Sequence, residues 1–231
     1  MKLLFAWLVI MLFTACSVFE KSSRHGFGSG YYQYKATTGE KSKVFLDIDE
    51  EGISGYPVNG KNVDRSSVFE ISLQPGDSLD EHPEKFSKHS IDIDITTILF
   101  KYRPGVQNLP AQMLTDFNTA LFVGWRKDNY YLKTYSHPFR HDHYEAVSRG
   151  FDIGFFAGTG TTAVNSFSTK EAVVNEYNGM ILQYGIAGFI ESNVASFGLS
   201  LGYDYLLSPD RKFWIYDRKP WLGFIVGIAL N

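Results

Sequence analysis

The sequence predicts an all-β protein, an antiparallel up-and-down membrane β-barrel of about eight strands preceded by a short N-terminal β segment. Its 231 residues include 21 Gly, 19 Phe, 14 Tyr and 4 Trp, a composition that favours strands over helices. Large apolar residues alternate with small ones along several segments, which is the period of a strand. The second face of these segments holds Gly, Ser, Ala and Asn, which suits the interior of a narrow barrel. The large apolar face would then meet lipid.

Composition and charge exclude several classes of protein. A single Cys excludes a disulfide framework and a thiolate-rich metal site. A net charge of -3 gives no long-range attraction to nucleic acid, so we expect no nucleic-acid partner. The chain has no Walker loop and no GxGxxG fingerprint after a strand, and we therefore expect no cofactor.

Residues 1–15 have the form of an export signal. The apolar run that follows Lys2 is too short to span a bilayer as a helix, but it matches the apolar region of a secretory signal. Small residues precede Cys16, a pattern that resembles the lipobox of bacterial lipoproteins. The resemblance implies cleavage before Cys16 and acylation of its thiol, with residues 16–28 as a tether. The alternative is an ordinary signal peptide with a coincidental Cys16.

The remaining chain divides at about residue 90. Residues 29–89 form a polar N-terminal β segment with short strand candidates. These are Tyr31–Lys35, Lys43–Asp49, Ile53–Val58 and Val68–Leu73. Residues 74–89 carry two Pro and many charges, which predicts a loop. Residues 90–231 hold longer candidates, and we assign them to the β-barrel.

Six strand candidates lie in residues 90–231, beginning near positions 90, 117, 149, 180, 194 and 220. In Ser196–Tyr205, for example, the odd positions are Phe, Leu or Tyr and the even ones are mostly Gly or Ser. A change of phase in the first candidate suggests a β-bulge near Thr96 and Thr97. Because single-chain outer-membrane barrels have at least eight strands, two strands from residues 29–73 are expected to complete the set.

Residues 90–231 resemble small outer-membrane β-barrel proteins of Gram-negative bacteria. The resemblance is carried by the alternation of Gly with aromatics and by the apolar terminal strand Trp221–Asn231, although that strand lacks the usual terminal Phe. Phe100–Pro104 and Lys219–Gly223 look like segments of a lipoprotein-like barrel group that has no known activity. The resemblance implies location in the cell outer membrane, with its lipids and other envelope proteins as partners. It also places aromatic residues in a girdle near the strand ends, namely Trp125, Tyr203, Tyr205 and Trp221.

Four charged residues would face the barrel interior on the assigned phase. They are Arg126, Asp152, Glu191 and Asp204. A buried charge without a partner is very costly, so these residues predict a salt-bridge network that plugs a narrow barrel. The alternative is a polar path for a small solute.

Candidate metal and catalytic residues are few. His137, His141 and His143 lie close together and are weak candidates for a divalent metal, but a loop rich in imidazoles explains them as well. We therefore assign no metal. Ser136 with His137, and Ser148, are the residue types that outer-membrane acyl hydrolases and transferases use. No triad spacing is recognisable, and we assign no catalytic residue.

The sequence therefore predicts a non-catalytic outer-membrane β-barrel with a structural or interaction role in the cell envelope. One alternative is a periplasmic soluble β-barrel lipoprotein that binds a small hydrophobic ligand, with its Phe and Leu faces pointing inward. A further alternative is an outer-membrane acyl hydrolase or transferase.

Overall fold

The computed structural model describes residues 26–35, 40–49, 52–60, 62–70, 85–106, 109–137, 140–191 and 196–227. For residues 70, 133–137, 140–145, 191, 196 and 227 it describes the backbone alone. Within these ranges the chain forms twelve strands and one short 3-10 helix, Pro209–Lys212, and no α-helix. None of the described helices is long and apolar enough to cross a membrane. The described chain is therefore all-β, as its composition predicts.

The twelve strands are numbered in chain order. They are β1 (Gly30–Lys35), β2 (Lys41–Ile48), β3 (Ile53–Asn59), β4 (Asn62–Val63), β5 (Phe69–Glu70), β6 (Lys85–Arg103), β7 (Gln112–Leu114), β8 (Asn118–His137), β9 (Arg140–Val164), β10 (Tyr177–Glu191), β11 (Ser196–Leu206) and β12 (Pro220–Gly227). Since β6 begins at Lys85, the last part of the loop predicted at residues 74–89 is strand. Residues 71–84 lie outside the described ranges.

The strands belong to two compact units. The first unit holds residues 91–126 and the described residues from 151 onward, and the second holds residues 127–150 and those described up to 90. Strands β6, β8 and β9 each contribute residues to both units. One boundary thus coincides with the division read from the sequence near residue 90. Residues 127–150, which that division gave to the barrel, lie in the second unit.

Six strands of the first unit form a closed ring. The order β6-β8-β9-β10-β11-β12 returns to its start because β12 pairs with β6, where Leu222 lies opposite Tyr102. The expectation that two strands from residues 29–73 would complete a set of eight is wrong for this ring. Strand β12 pairs with β6 along Thr97–Tyr102, whereas β1 meets β6 only at Lys85–Ser87.

The change of phase in β6 has its cause in a β-bulge at Leu99. Phe224 lies opposite Phe100 and Ile225 lies opposite Ile98, so Leu99 is the extra residue. Leu99 and Phe100 are both exposed, and the alternation restarts after them. The predicted bulge exists, but its predicted position near Thr96 and Thr97 is wrong. Ile98 belongs to the buried face, although its apolar character places it with Phe100 when the sequence alone is considered.

Most large apolar side chains of the ring strands point outward. In β11, Phe197 and Leu199 are 51% and 71% exposed, while Ser200 and Asp204, further along the same strand, are buried. The other ring strands follow the same alternation. Their exposed apolar residues include Ile95, Leu121, Val123, Trp125, Phe151, Ile153, Phe155, Met180, Leu182, Tyr184, Ile186, Leu222 and Phe224. This orientation is the one that the small-residue face predicts.

The second unit has its own apolar core. Tyr32, Phe86 and Tyr130 meet there in edge-on contacts, and aliphatic residues of β2 and β3 complete the cluster. The Tyr32 hydroxyl lies within this core and donates a hydrogen bond of 2.7 Å to the Gly28 carbonyl oxygen. Alternate residues of β1, β2 and β3 point away from this core.

Candidate functional site

The inner face of the ring carries a cluster of charges around Asp204, a residue of β11 that is 0% exposed. Lys101 Nζ lies 2.9 Å from one carboxylate oxygen of Asp204, and Arg103 Nη2 lies 2.6 Å from the other. The Trp221 indole N–H donates to the same carboxylate at 2.9 Å, and Arg103 Nη1 donates to Thr162 Oγ1 at 3.2 Å. These five residues are called the Asp204 cluster below.

Aromatic faces surround the two cations of this cluster. Lys101 Nζ lies 4.5 Å from the ring centre of Trp221. The guanidinium carbon of Arg103 lies 5.0 Å from the rings of both Trp214 and Tyr216. Such cation–π contacts gain strength where water is excluded, and both cations are at least 96% buried. The aromatic rings thus offset part of the cost of burying two positive charges.

Two groups in the connections next to the cluster have shifted pKa values. Burial raises the pKa of the Asp116 carboxyl, although the charges of Arg103 and Lys101 act to lower it. Burial also raises the pKa of the Tyr216 hydroxyl, again against the opposing effect of Arg103. Asp116 is thus a second carboxyl group close enough to Lys101 and Arg103 for their charges to act on its pKa.

A second cluster lies further along β6 and β9 and includes β8. Arg126 of β8 stands between Asp92 of β6 and Asp152 of β9, with 3.8 Å from its Nη1 to one oxygen of each carboxylate. All three side chains are at least 94% buried. One guanidinium therefore holds the charges of three neighbouring strands together.

An apolar plug separates the two clusters along the strands. Phe122 lies four residues before Arg126 on the same face of β8, and Ile98 lies between Asp92 and Lys101 on β6. Phe122 meets Phe189 edge-on at 4.9 Å, and Phe156 contacts Trp221 at 5.9 Å. The members of the plug are Ile98, Ala120, Phe122, Phe156, Ala187, Phe189, Trp221 and Ile225. Side chains rather than a continuous polar path fill this part of the ring.

The structure describes the side chains of three of the four predicted interior charges, and these three belong to two separate clusters. Arg126 and Asp152 come together, and Asp204 belongs to the other cluster. The Glu191 side chain lies outside what the structure describes. The sequence analysis does not name the partners Asp92, Lys101 and Arg103. The alternation of Ile91 to Ile95 and of Phe100 to Tyr102 nevertheless indicates that these three side chains point to the inner face.

Trp221 corrects one further expectation, because it is 1% exposed and binds Asp204 rather than lying in an outer aromatic girdle. The alternation of β12 explains this position, since Leu222 and Phe224 occupy the outer face. Trp125 and Tyr203 are on the outer surface as expected, and Tyr205 is half-buried.

The structure adds little about the remaining candidate metal, catalytic and lipidation residues. The backbones of Ser136 and His137 lie in β8 and those of His141 and His143 in β9, but their side chains are outside the described set. Ser148 is half-buried in β9. The described residues contain no group of three or more His, Cys, Asp or Glu that could hold a metal ion. Cys16, the signal 1–15 and most of the tether precede the first described residue.

Chemically, the described interior is a set of cross-links between strands. Asp204 ties β11 to β6 and β12, and Arg126 ties β8 to β6 and β9.

Comparison with known proteins identifies no relative: no family model, no curated protein and no solved structure matches the chain.

Proposed function

We propose that this chain is a non-catalytic outer-membrane β-barrel protein of a Gram-negative bacterium, with a structural or interaction role in the cell envelope. The observation that carries the proposal is the outward apolar face of the six-stranded ring. Soluble proteins rarely expose contiguous apolar patches larger than a few hundred Å². The ring exposes large apolar side chains on every strand while it buries Asp, Arg, Lys and Gln. A lipid surround stabilises that arrangement, and water does not.

The strand lengths support a membrane span. Strand β11 has 11 residues. At the usual rise this is about 36 Å, and a tilt of about 45° reduces its height to about 26 Å. The apolar band of outer-membrane barrels is about 25 Å tall.

The connections also support it, because outer-membrane barrels alternate short and long connections. Residues 104–117, 165–176 and 207–219 form three long connections between ring strands at one end of the ring. At the other end of the ring, β10 ends at Glu191 and β11 begins at Ser196, so the connection between them is short. On this proposal the long connections face outward from the cell and the short one faces the periplasm.

The small strand number agrees with a filled interior. Bacterial single-chain barrels begin at eight strands, whose interior is just wide enough for side chains. Six strands enclose less room, and the ring holds two salt-bridge clusters and an apolar plug. The protein would therefore serve as an anchored scaffold rather than as a pore.

The soluble ligand-binding lipoprotein is the weaker candidate for the ring. It requires the Phe and Leu faces to point inward around the ligand. Phe197 and Leu199 point outward, and Gly198 and Ser200 are buried in their place.

A charge placed on the outer face tests the proposal directly. Leu199→Arg adds an arginine at a position that is 71% exposed, and Val174→Arg adds one at a position that is 82% exposed in the connection 165–176. In a membrane the first should cost about 2–4 kcal/mol of folding free energy and the second almost nothing. In water both positions tolerate arginine within about 0.5 kcal/mol. Equal unfolding midpoints of the two variants in lipid vesicles would overturn the membrane proposal.

Removal of the proposed lipid anchor gives a second test. In Cys16→Ala the barrel alone should hold the protein, so the chain stays in the outer-membrane fraction after a carbonate wash. A soluble lipoprotein would be released. Altered gel migration of the unheated sample provides an independent measure of a folded barrel.

A further inference from the structure

The second unit contains an open cleft of about 490 Å³ that the ring and its charges do not involve. This volume lies within the range of about 300–1,000 Å³ of small-molecule sites. The cleft is formed by the outer face of β1, β2 and β3 and by the segment that follows β3. Its lining residues are Tyr31, Phe45, Asp47, Tyr56, Val63, Arg65 and Val68.

One wall of the cleft is a row of three aromatic rings. Tyr31 of β1 lies opposite Phe45 of β2, and Phe45 lies opposite Tyr56 of β3. The rings of Tyr31 and Phe45 are 5.1 Å apart and meet edge to face. The row lies on the side away from Tyr32, Val44 and Leu46, and Tyr31 remains 55% exposed. The aromatic row therefore offers ring surface to an outside molecule.

The rim of the cleft carries one charge of each sign. Asp47 stands beside Phe45 on β2, and Arg65 stands on the segment after β4. Arg65 lies in a tight turn, in which the backbone N–H and hydroxyl of Ser66 both donate to the Asp64 carboxylate. These hydrogen bonds lower the pKa of Asp64, so the turn is kept at neutral pH. Asp47 accepts one hydrogen bond, from Ser29 Oγ at 3.3 Å.

We propose that this cleft binds a neutral saccharide. A wholly apolar ligand would desolvate Asp47 and Arg65 without giving them partners, which is costly. An anion would be opposed by Asp47, and a cation would be opposed by Arg65. A pyranose ring presents a C–H face to the negative face of an aromatic ring, and its hydroxyl groups bind both a carboxylate and a guanidinium. An open aromatic wall also suits a sugar, because the opposite side of the sugar can remain in water.

This inference goes beyond the proposed function and does not depend on it, since all the lining residues belong to the second unit. Loss of the membrane proposal would leave the cleft unchanged. Conversely, a failure to bind saccharides would not affect the outward apolar face of the ring.

The test measures binding of chitotetraose and maltotetraose to the full chain in lipid nanodiscs by tyrosine fluorescence and calorimetry. We expect at least one of the two to bind. Tyr31→Ala and Tyr56→Ala should each weaken that binding at least about tenfold, because each removes a ring from the wall. Tyr31→Phe keeps the ring and should retain most of the affinity. Tyr131→Ala, in the same unit but outside the cleft lining, is the matched control and should have no effect.

Three results would overturn the inference. One is that neither oligosaccharide binds. Another is that binding survives in both Tyr31→Ala and Tyr56→Ala, which would put the site elsewhere. The last is that the apolar dye phenylnaphthylamine binds at the aromatic row and the sugars do not compete with it, which would identify a hydrophobic-ligand site.

Discussion

Asp204 is the centre of one of the two charge clusters in the ring interior. Its carboxylate binds Lys101, Arg103 and the Trp221 indole, so it links three strands with a single side chain. Sequence alternation places Asp204 on the inner face. It does not reveal that Lys101 and Arg103 are its partners, because pairing depends on how the ring strands are staggered.

Removing this carboxylate should be strongly destabilising. Asp204→Ala leaves Lys101 and Arg103 as neighbouring buried cations, and breaking a buried pair typically costs about 3–5 kcal/mol. Urea unfolding of the protein in lipid vesicles measures the loss. Glu176→Ala is the control, because this carboxylate is exposed in the connection 165–176 and substitutions on the surface change stability by about 0.5 kcal/mol or less. A loss for Asp204→Ala no larger than that of the control would show that the cluster does not stabilise the ring.

At the scale of single strands, glycine decides how closely β8 and β9 approach. A Cβ added at Gly154 would overlap the Cα of Gly124 and the carbonyl oxygen of Val123. Both neighbours are backbone atoms, so a side chain cannot swing away to make room.

Gly154→Ala should therefore force the two strands apart, at a cost of about 1–3 kcal/mol. The matched control is Gly28→Ala, because a Cβ at Gly28 meets nothing within 4 Å. Thermal unfolding of the two variants gives the comparison. Equal stability would mean that the β8–β9 pairing adapts to the added methyl group.

Strand existence could be predicted from the sequence far better than strand limits. The alternation of β11 predicts Ser196–Tyr205, and the strand spans Ser196–Leu206. By contrast, the candidate near position 117 corresponds to β8, which continues to His137, and the candidate near position 149 corresponds to β9, which begins earlier, at Arg140. These extensions belong to the second unit, where Tyr130 and Leu132 are part of the apolar core and the pattern of small inner residues is lost.

At the scale of the whole molecule, the plug predicts that the proposed barrel does not conduct ions. Phe122, Phe156 and Phe189 are each at most 5% exposed, and they occupy the interior between two charge clusters. A close-packed interior leaves no continuous water path.

Planar-bilayer recordings of the purified protein should show no conductance steps at any applied voltage the bilayer tolerates. Incorporation is verified on the same membranes by protease protection of the ring strands. Discrete steps above the baseline would contradict the plug and would favour a solute path through the interior.

The strand count could not be derived from local patterns. Outer-membrane barrels with known numbers of strands suggested eight, and residues 29–73 contain plausible additional strands. Whether a ring closes after six or eight strands is decided by which edge of β6 the last strand meets. That contact joins distant parts of the chain, and no window of alternating residues records it. The aromatic cleft could not be predicted from the sequence for the same reason, because only the strand register brings Tyr31, Phe45 and Tyr56 side by side.

The pairing of β12 with β6 also affects the order in which the strands fold. Leu222 pairs with Tyr102, about 120 residues earlier in the chain, so the closing contact has a large sequence separation. Because loop closure carries an entropic cost before such a contact forms, closure should be a slow, late step of folding. Until β12 docks, the edge of β6 that it covers is unpaired. The chain then needs protection from pairing with other chains, and the docking of β12 ends that need.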